Sequence, residues 1–233
     1  KLDELRGIEV VDDVIRVGAM TRHRELELDD TVHKVNPLVR QVLGNVAHVT
    51  VRNRGTIGGN IAHADSASEL PALLLALEGS IEAIGPGGKR IIQATDFFKF
   101  HMTTALAEKE IITRVMIPVM PAGYCGCFQE FNRRKGDYAI VGVVAVIGRD
   151  TNGCCTTVRL AACGVATTAV RLVTAEEALV GSDLDSATIA KAATNAREYV
   201  TAADDLNASN DLRRRIIATL VTRTVTEAAN LSS

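Results

Sequence analysis

The sequence predicts an α+β fold built from two consecutive units. Beyond residue 126, three β-rich segments precede three helical segments, and strands segregated from helices are typical of that class. Before residue 119, short helices stand between alternating strand patterns. Residues 118–126 hold two prolines, two glycines and no apolar periodicity, which indicates a boundary. We therefore expect one unit over residues 1–120 and a second over residues 124–233.

The first unit opens with a strand and two helices. The alternating stretch "VIRVGAM" (14–20) predicts a strand, and Thr21 is placed to cap the short helix "RHRELEL". The next helix, "NPLVRQVLGNVAHV", is predicted to start with Asn36 as cap and Pro37 at the first helical position. Its apolar residues recur on one face, so we expect that face to be buried.

A further helix and three strands complete the first unit. Ser68 is the expected cap of a helix over about 69–78, because a start there leaves Pro71 in the first turn, where its missing N–H is tolerated. Gly79 would follow the helix end. The stretch "SIEAIGPGGKRIIQA" predicts a hairpin, "DFFKF" a connector, and "EIITRVMIP" a strand closed by Pro118.

The second unit is predicted to hold a three-stranded antiparallel sheet packed on helices. Its strands are "CFQEFNRR", "YAIVGVVAVIGR" and "CCTTVRLAACGV", the last two joined by a turn at "DTNG". Its helices are "TAEEALVG", "SATIAKAATNAREYV" and "SNDLRRRIIATLVTRTVTEAAN".

The composition of the 233 residues narrows the class of protein. The net charge is −2, which gives no general attraction to nucleic acid or acidic membranes. No apolar run reaches the roughly 20 residues that span a bilayer, and the first residues do not resemble a signal peptide. Five cysteines without a regular framework argue against a disulfide-built secreted fold, so we expect a cytoplasmic setting.

The stretch "RNRGTIGGN" (52–60) is the strongest candidate for a binding site. Its glycines would let the backbone adopt positive φ and form a nest of N–H groups that binds anions, with Arg52 and Arg54 raising the local potential. A plain turn with solvated arginines explains the same residues. The spacing matches neither a Walker A loop nor the dinucleotide fingerprint of a Rossmann unit.

The longer stretch "RNRGTIGGNIAHADSASELPA" resembles the second flavin-binding segment of a known family. It is similar to the FAD-carrying medium subunit of molybdenum hydroxylases, the xanthine dehydrogenase and carbon monoxide dehydrogenase family. The resemblance continues in order through "VGAMTRHRELE", "GPGGKRII", "DFFKF", "EIITRVMIP", "FNRRKGDYAIVGVVA" and "CGVATTAVRL". It thus covers essentially the whole chain.

The resemblance implies a fold, a function and partners. It implies an FAD-binding domain of the vanillyl-alcohol-oxidase (PCMH) type, followed by the C-terminal domain of the carbon monoxide dehydrogenase flavoprotein. A separate molybdopterin subunit would oxidise the substrate, and electrons would pass through two [2Fe–2S] centres on a small subunit to FAD on this chain, then to an external acceptor. The implied assembly is a heterotrimer or a dimer of heterotrimers. This oxidoreductase subunit would hold no metal and no acid–base catalyst of its own, because the cofactor does the chemistry.

The resemblance also implies which residues contact FAD. The turn at Thr56, Ile57, Gly58, Gly59 and Asn60 would lie against the pyrophosphate and the ribityl chain. Two polar contacts to the nucleotide are expected at His63 and Glu69. An apolar contact to the ring system is expected at Ile112. The segment with Asp137 and Tyr138 would reach back to the isoalloxazine.

The chain departs from the family pattern at several positions. The family commonly has Pro and Asp where this chain has Ser66 and Glu69, and some relatives carry a flavin-contacting Lys in the region of Gln129 and Glu130. Family members also carry an earlier loop, roughly "AGG.S", that does not precede Lys1. We interpret this as a missing N-terminal portion, which would bear on whether the chain holds FAD.

Two rival functions remain open at this point. One is a self-sufficient FAD-dependent oxidase of the same fold, which the aromatic content of only 3% disfavours. The other is a scaffold subunit that has lost FAD. The remaining His and Cys residues show no metal-ligand spacing and are interpreted as packing or surface residues. The run Arg213–Arg215 is interpreted as a partner-facing or solvated face.

Overall fold

The computed structural model describes residues 2–231 as an α+β protein. In chain order, the first unit contains β1 (Ile8–Val11), β2 (Val14–Gly18), α1 (His23–Leu28), α2 (Asp30–Val35), α3 (Pro37–Leu43), α4 (Val49–Arg52), α5 (Ile57–His63), α6 (Glu69–Ala76), β3 (Ser80–Gly85), β4 (Gly88–Gln93), α7 (Ala94–Phe97), β5 (Phe98–Phe100), β6 (Thr103–Thr104) and β7 (Ile111–Pro118). The second contains β8 (Tyr124–Phe131), β9 (Val141–Arg149), β10 (Cys155–Cys163), β11 (Val170–Arg171), α8 (Val173–Leu179), α9 (Ser186–Ala196) and α10 (Asn210–Leu231). Short 3₁₀ turns occupy Asp3–Leu5 and Arg197–Tyr199.

A five-stranded antiparallel sheet forms the centre of the first unit. Its strand order is β1-β2-β7-β3-β4, so the late strand β7 lies in the middle. Val115 on β7 is paired with Val17 on one side and Ile81 on the other, and all three side chains are buried. Alternate apolar residues therefore give this sheet one buried face, against which the helices pack.

The sheet of the second unit is buried on both faces. On β9, Val144 and Val146 belong to the core that includes α3 and α6 of the first unit, whereas Val143 and Ile147 belong to the core formed with α9 and α10. This arrangement explains why "AIVGVVAVIG" is continuously apolar rather than alternating. The two units therefore pack directly against each other through this sheet.

Three local predictions need correction. The second sheet has four strands, because Val170 pairs with Ala162, and a two-residue strand is too short to give a sequence pattern. Thr21 does not cap α1: Arg22 holds that position, and the Thr21 hydroxyl instead donates to the Gly7 carbonyl and accepts from its N–H. Helix α6 ends at Ala76, two residues earlier than expected.

Candidate functional site

The glycine-rich stretch forms the start of helix α5 and not a nest. Gly55, Gly58 and Gly59 all lack positive φ. The N–H of Ile57 donates to the Thr21 carbonyl at 3.0 Å, and the N–H of Gly58 donates to the Ala19 carbonyl at 2.9 Å. The predicted anion-binding nest is therefore wrong, because the N–H groups that would form it attach the helix to the end of β2.

Polar groups of the same turn nevertheless remain at the surface. Thr56 caps α5, and its hydroxyl oxygen accepts from the Gly59 N–H at 3.1 Å, which leaves the hydroxyl hydrogen to donate. Gly59 is exposed and Asn60 is half-buried. These groups, and not a run of unpaired backbone N–H groups, are the ones that this turn presents to a ligand.

The two adjacent glycines serve different purposes. A Cβ on Gly58 would lie 2.6 Å from Ala19 Cβ and 2.8 Å from the Ala19 carbonyl oxygen, so only glycine lets α5 approach the strand end. A Cβ on Gly59 would meet only the Thr56 hydroxyl, at 2.8 Å, within 4 Å. Gly58 is thus required by packing, whereas Gly59 keeps the exposed side of the turn bare.

The arginine that precedes the turn is part of the core. Arg52 is 8% exposed and forms a buried ion pair with Glu27, with Nε 2.8 Å from Oε2. The same guanidinium donates to the carbonyls of Val46 and Ala47. The prediction that Arg52 raises the potential for an anion is therefore wrong, since its charge is already neutralised, whereas Arg54 is exposed.

Helices α5 and α6 are tied together at the predicted site. The Ser68 hydroxyl, which precedes α6, donates to Asn60 Oδ1 at 3.0 Å. This bond fixes the Asn60 amide so that its NH₂ group remains available as a donor. The intervening loop is anchored to the second unit, because the Gly164 N–H donates to the Ser66 carbonyl at 2.7 Å.

Three predicted residues from separate elements line one cavity of about 210 Å³, the smaller cavity. They are Asn60 on α5, Glu69 at the start of α6 and Tyr138 in the second unit. The remaining wall consists of His23, Val46, Ala47, Val51 and Gly136. Apolar walls with a few convergent polar groups are typical of a site for a cofactor ring.

A second, more open cavity of about 540 Å³ adjoins the first. Tyr138 and Gly136 line both cavities, so the half-exposed Tyr138 side chain stands between them. The larger cavity is polar, and its charged or polar lining includes Asp65, Ser66, His101, Arg133, Asp137, Asp205, Asn207 and Arg213.

The segment that carries Tyr138 is held by a close contact with the first unit. Gly136 has φ of +89°, and a Cβ there would lie 2.6 Å from the His48 ring. Neither that backbone conformation nor that approach is open to a residue with a side chain. Gly136 therefore positions Tyr138 at the cavity.

Two glutamates, Glu69 on the wall of the smaller cavity and Glu130 on β8, have strongly raised pKa values. Glu69 is 2% exposed, and burial, with a smaller contribution from the charge of Asp65, raises its pKa to about 7. Burial and the charge of Glu69 raise the pKa of Glu130 to about 8. Asn132 donates to Glu130 Oε1 at 2.7 Å, while Glu130 Oε2 is buried without a partner. The sequence analysis noted Glu130 only for the absence of a Lys, and missed that its pKa is raised.

The other predicted residues lie nearby or in the core. His63 is exposed, with Nε2 3.9 Å from Asp65 Oδ2. Ile57 is buried in the core beneath the turn. Ile112 is 7% exposed on β7, opposite Ala83, and lines neither of the two cavities.

The arginine run in the second unit was misinterpreted. Arg213 is 4% exposed, donates to the carbonyls of Ile140 and Gly164, and pairs with Asp205 Oδ2 at 2.7 Å. Arg213 is buried because it lies on the inward side of α10. A run of three arginines in the sequence does not reveal which of them faces inward. The prediction of a solvated or partner-facing residue is wrong for Arg213.

Over residues 2–231, no cluster of His, Cys, Asp or Glu is suited to hold a metal ion. All five cysteines are free thiols. In the same described range, no helix is both long and apolar enough to cross a membrane.

Comparison with known proteins identifies the family of this chain. Residues 1–120 match the model of the FAD binding domain in molybdopterin dehydrogenase, and residues 126–228 match the CO dehydrogenase flavoprotein C-terminal domain. The chain belongs to the FAD-binding medium subunits of the molybdenum hydroxylase family.

Individual medium subunits and their relatives agree with this assignment. The chain is 37% identical over 224 residues to the 6-hydroxypseudooxynicotine dehydrogenase complex subunit alpha of Paenarthrobacter nicotinovorans, covering 96% of this chain and 76% of the relative. It is 31% identical to the carbon monoxide dehydrogenase medium chain of Hydrogenophaga pseudoflava, covering 98% and 79%. The structure of quinoline 2-oxidoreductase from Pseudomonas putida 86 superimposes with a TM-score of 0.93 at 38% identity, covering 99% and 80%. The chain is therefore an oxidoreductase subunit with an FAD-binding domain, as predicted.

Proposed function

We propose that this medium subunit binds FAD where α5, α6 and residues 136–138 meet, and passes electrons from [2Fe–2S] centres of a partner subunit to an external acceptor. The observation that carries the proposal is the smaller cavity, lined by Asn60, Glu69 and Tyr138. These residues come from three separate parts of the chain, and the family resemblance implies a flavin contact for each of them.

The residues around the cavity fit a flavin nucleotide. The isoalloxazine is a flat ring with a polar edge, which matches an apolar wall that includes Val46, Val51 and few polar groups. Gly59 and the hydroxyl of Thr56 lie in the first turn of α5, and the phosphate and ribityl parts of FAD would need such a close backbone approach and a donor. The aromatic ring of Tyr138 supplies a surface for stacking.

We assign the individual roles as follows. Thr56, Asn60 and His63 provide polar contacts to the nucleotide, and Gly59 permits its approach. Ile57 and Gly58 act indirectly by seating α5 on the first sheet. Asp137 lines the larger cavity, next to Tyr138, and is assigned to the segment that faces the isoalloxazine. Ile112 stays a predicted apolar contact, next to α5 in the fold.

When bound, FAD supplies the electron-carrying chemistry, and the chain's own residues orient the cofactor and set the local charge. We propose that the molybdopterin and the [2Fe–2S] centres reside on a large and a small partner subunit. The proposed assembly is a heterotrimer or a dimer of heterotrimers. A cytoplasmic location is consistent with the five free thiols.

The visible absorption spectrum of the purified chain tests cofactor binding directly. We expect flavin bands and, after release, one FAD per chain, either as purified or after incubation with FAD. A chain that stays colourless after incubation with FAD refutes the proposal. The variant Asn60→Ala should weaken FAD binding by up to about tenfold, the cost of one hydrogen bond. The control Asn152→Ala changes an exposed turn of the second unit, outside both cavities, and should leave affinity unchanged.

Electron transfer is tested on the assembled complex. Addition of the complex's own substrate without an external acceptor should bleach the flavin absorption. Flavin that stays oxidised while the [2Fe–2S] centres become reduced would refute the electron-transfer role but leave FAD binding intact.

A further inference from the structure

One polar residue on the wall of the smaller cavity has no role in the site described so far. His23, the first residue of α1, is 4% exposed and lines this cavity with Asn60 and Glu69. Both of its ring nitrogens are buried, and neither has a hydrogen-bond partner among the residues that the structure describes. Buried polar groups are almost always hydrogen-bonded, because leaving them unpaired is costly. The bare imidazole therefore points to a partner from outside the chain.

The backbone holds His23 beside the turn that precedes α5. The His23 N–H donates to the Gly55 carbonyl at 3.0 Å. The preceding residue, Arg22, pairs with Thr56 in an isolated β-bridge. The ring lies against the same segment, since a Cβ on Gly55 would lie 3.1 Å from His23 Nδ1 and 3.2 Å from Cε1. His23 thus connects the Thr56 turn with the smaller cavity.

The adjoining backbone can satisfy at most one edge of this ring. Nδ1 is the ring nitrogen nearest to Gly55. A neutral imidazole has one N–H donor and one lone-pair acceptor, on different nitrogens. Even a tightened contact between the ring and this segment would therefore leave the second nitrogen unpaired. One polar group of His23 remains for whatever occupies the cavity.

The imidazole of His23 is neutral. Burial lowers its pKa the most, the nearby Thr56 backbone opposes this in part, and the positive charge of Arg52 lowers the pKa further. Arg52 is itself held in place by its ion pair with Glu27. His23 can therefore form one hydrogen bond at the cavity without bringing a charge into it.

We propose that His23 is a flavin-binding residue, whose free ring nitrogen forms a hydrogen bond with the polar edge of the isoalloxazine. That edge carries carbonyl oxygens on either side of an N–H, so it can pair with the donor or the acceptor nitrogen of a neutral imidazole. The rest of the ring system is apolar, as are Val46, Ala47 and Val51 on the cavity wall. The inference rests on the proposed flavin site and adds to it a contact with the ring.

FAD titration of matched variants tests this contact. His23→Leu keeps a side chain of similar volume and removes both ring nitrogens, so FAD should bind up to about tenfold more weakly, the loss expected for one hydrogen bond. His23→Gln retains a donor and an acceptor and should keep part of the affinity that His23→Leu loses. The control His33→Gln changes an exposed residue of α2, outside both cavities, and should bind FAD like the parent. An unchanged affinity in His23→Leu overturns the inference.

Urea unfolding of the cofactor-free variants separates binding from folding. Because the His23 ring makes no hydrogen bond within the described chain, His23→Leu removes no bond and should leave the urea midpoint unchanged or raise it. A clear fall of the midpoint in His23→Leu would assign the ring a structural role and would overturn the inference.

¹⁵N NMR of the imidazole nitrogens observes the contact directly and needs no active complex. The resonances that disappear in His23→Leu identify His23 among the five histidines. Addition of FAD to the parent chain should shift the resonance of one His23 ring nitrogen and leave those of the exposed His33 in place. A chain that binds FAD without any change at His23 overturns the inference and leaves the proposed function intact. A parent chain that binds no FAD refutes the proposed function itself, and the inference with it.

Discussion

Replacing Gly58 by Ala tests the reason for the two adjacent glycines. The new methyl would lie 2.6 Å from Ala19 Cβ and 2.8 Å from the Ala19 carbonyl oxygen, and neither atom can rotate away. Overpacking of this kind costs about 1–3 kcal/mol, and a weakened bond from the residue 58 N–H to the Ala19 carbonyl adds about 1 kcal/mol. The higher helix propensity of Ala relative to Gly offsets about 1 kcal/mol of this loss. We expect a net loss of about 1–3 kcal/mol in the free energy of unfolding.

The neighbouring variant Gly59→Ala is the matched control. Its methyl meets only the Thr56 hydroxyl, which can rotate, and the residue is exposed, so the free energy of unfolding should stay within about 1 kcal/mol of the parent value. Its affinity for FAD should nevertheless fall, because the methyl occupies the bare side of the turn. Urea unfolding and FAD titration of both variants separate the two effects. A Gly58→Ala chain as stable as the parent would refute the packing argument.

Three further predictions concern charge. Arg52→Met removes the buried partner of Glu27 and leaves it only the ion pair with Arg24, at 3.0 Å. It should lower the free energy of unfolding by about 2–3 kcal/mol, measured by urea titration, and a change below about 1 kcal/mol would contradict a buried pair. Because Glu69 and Glu130 have pKa values above the usual carboxyl range in the folded chain, folding binds protons, and stability should decrease as the pH rises from 5 to 9. Glu69 accounts for about 3 kcal/mol of this decrease, so Glu69→Gln should remove that share of the slope and leave the share of Glu130. Arg213→Met removes the hydrogen bonds to the carbonyls of Ile140 and Gly164 and should lower the free energy of unfolding by about 2–3 kcal/mol. An unchanged urea midpoint would show that these bonds do not stabilise the fold.

Local signals predicted much of the fold. The hairpin β3–β4, the strand β7 and the helix α3 with Pro37 at its first position follow from alternation and helix-start chemistry, which act over a few residues. The caps were less predictable. Thr21 has the chemistry of an N-cap, yet its hydroxyl bonds to Gly7, a partner fourteen residues away that no local pattern reveals.

Part of the candidate site could also be predicted, but only from the resemblance to a family and not from local signals. Asn60, Glu69 and Tyr138 were assigned to the flavin, and the fold brings all three to one cavity. The anion-binding nest predicted for the glycine stretch was wrong, because two of its N–H groups donate to the carbonyls of Ala19 and Thr21. No pattern within the glycine stretch reveals these partners.

By itself, the sequence determined the α+β class, the order of the elements and the membership of a flavin-binding family, because periodicity and motif spacing are local properties. Only the tertiary structure decided which charged side chains are buried and which groups surround them. It buries Arg52 against Glu27, turns Arg213 inward and buries Glu69 on the wall of a cavity. The reason is physical: the free energy of a charged group depends on how much water it keeps and on which groups surround it, and both are set by residues distant in the chain.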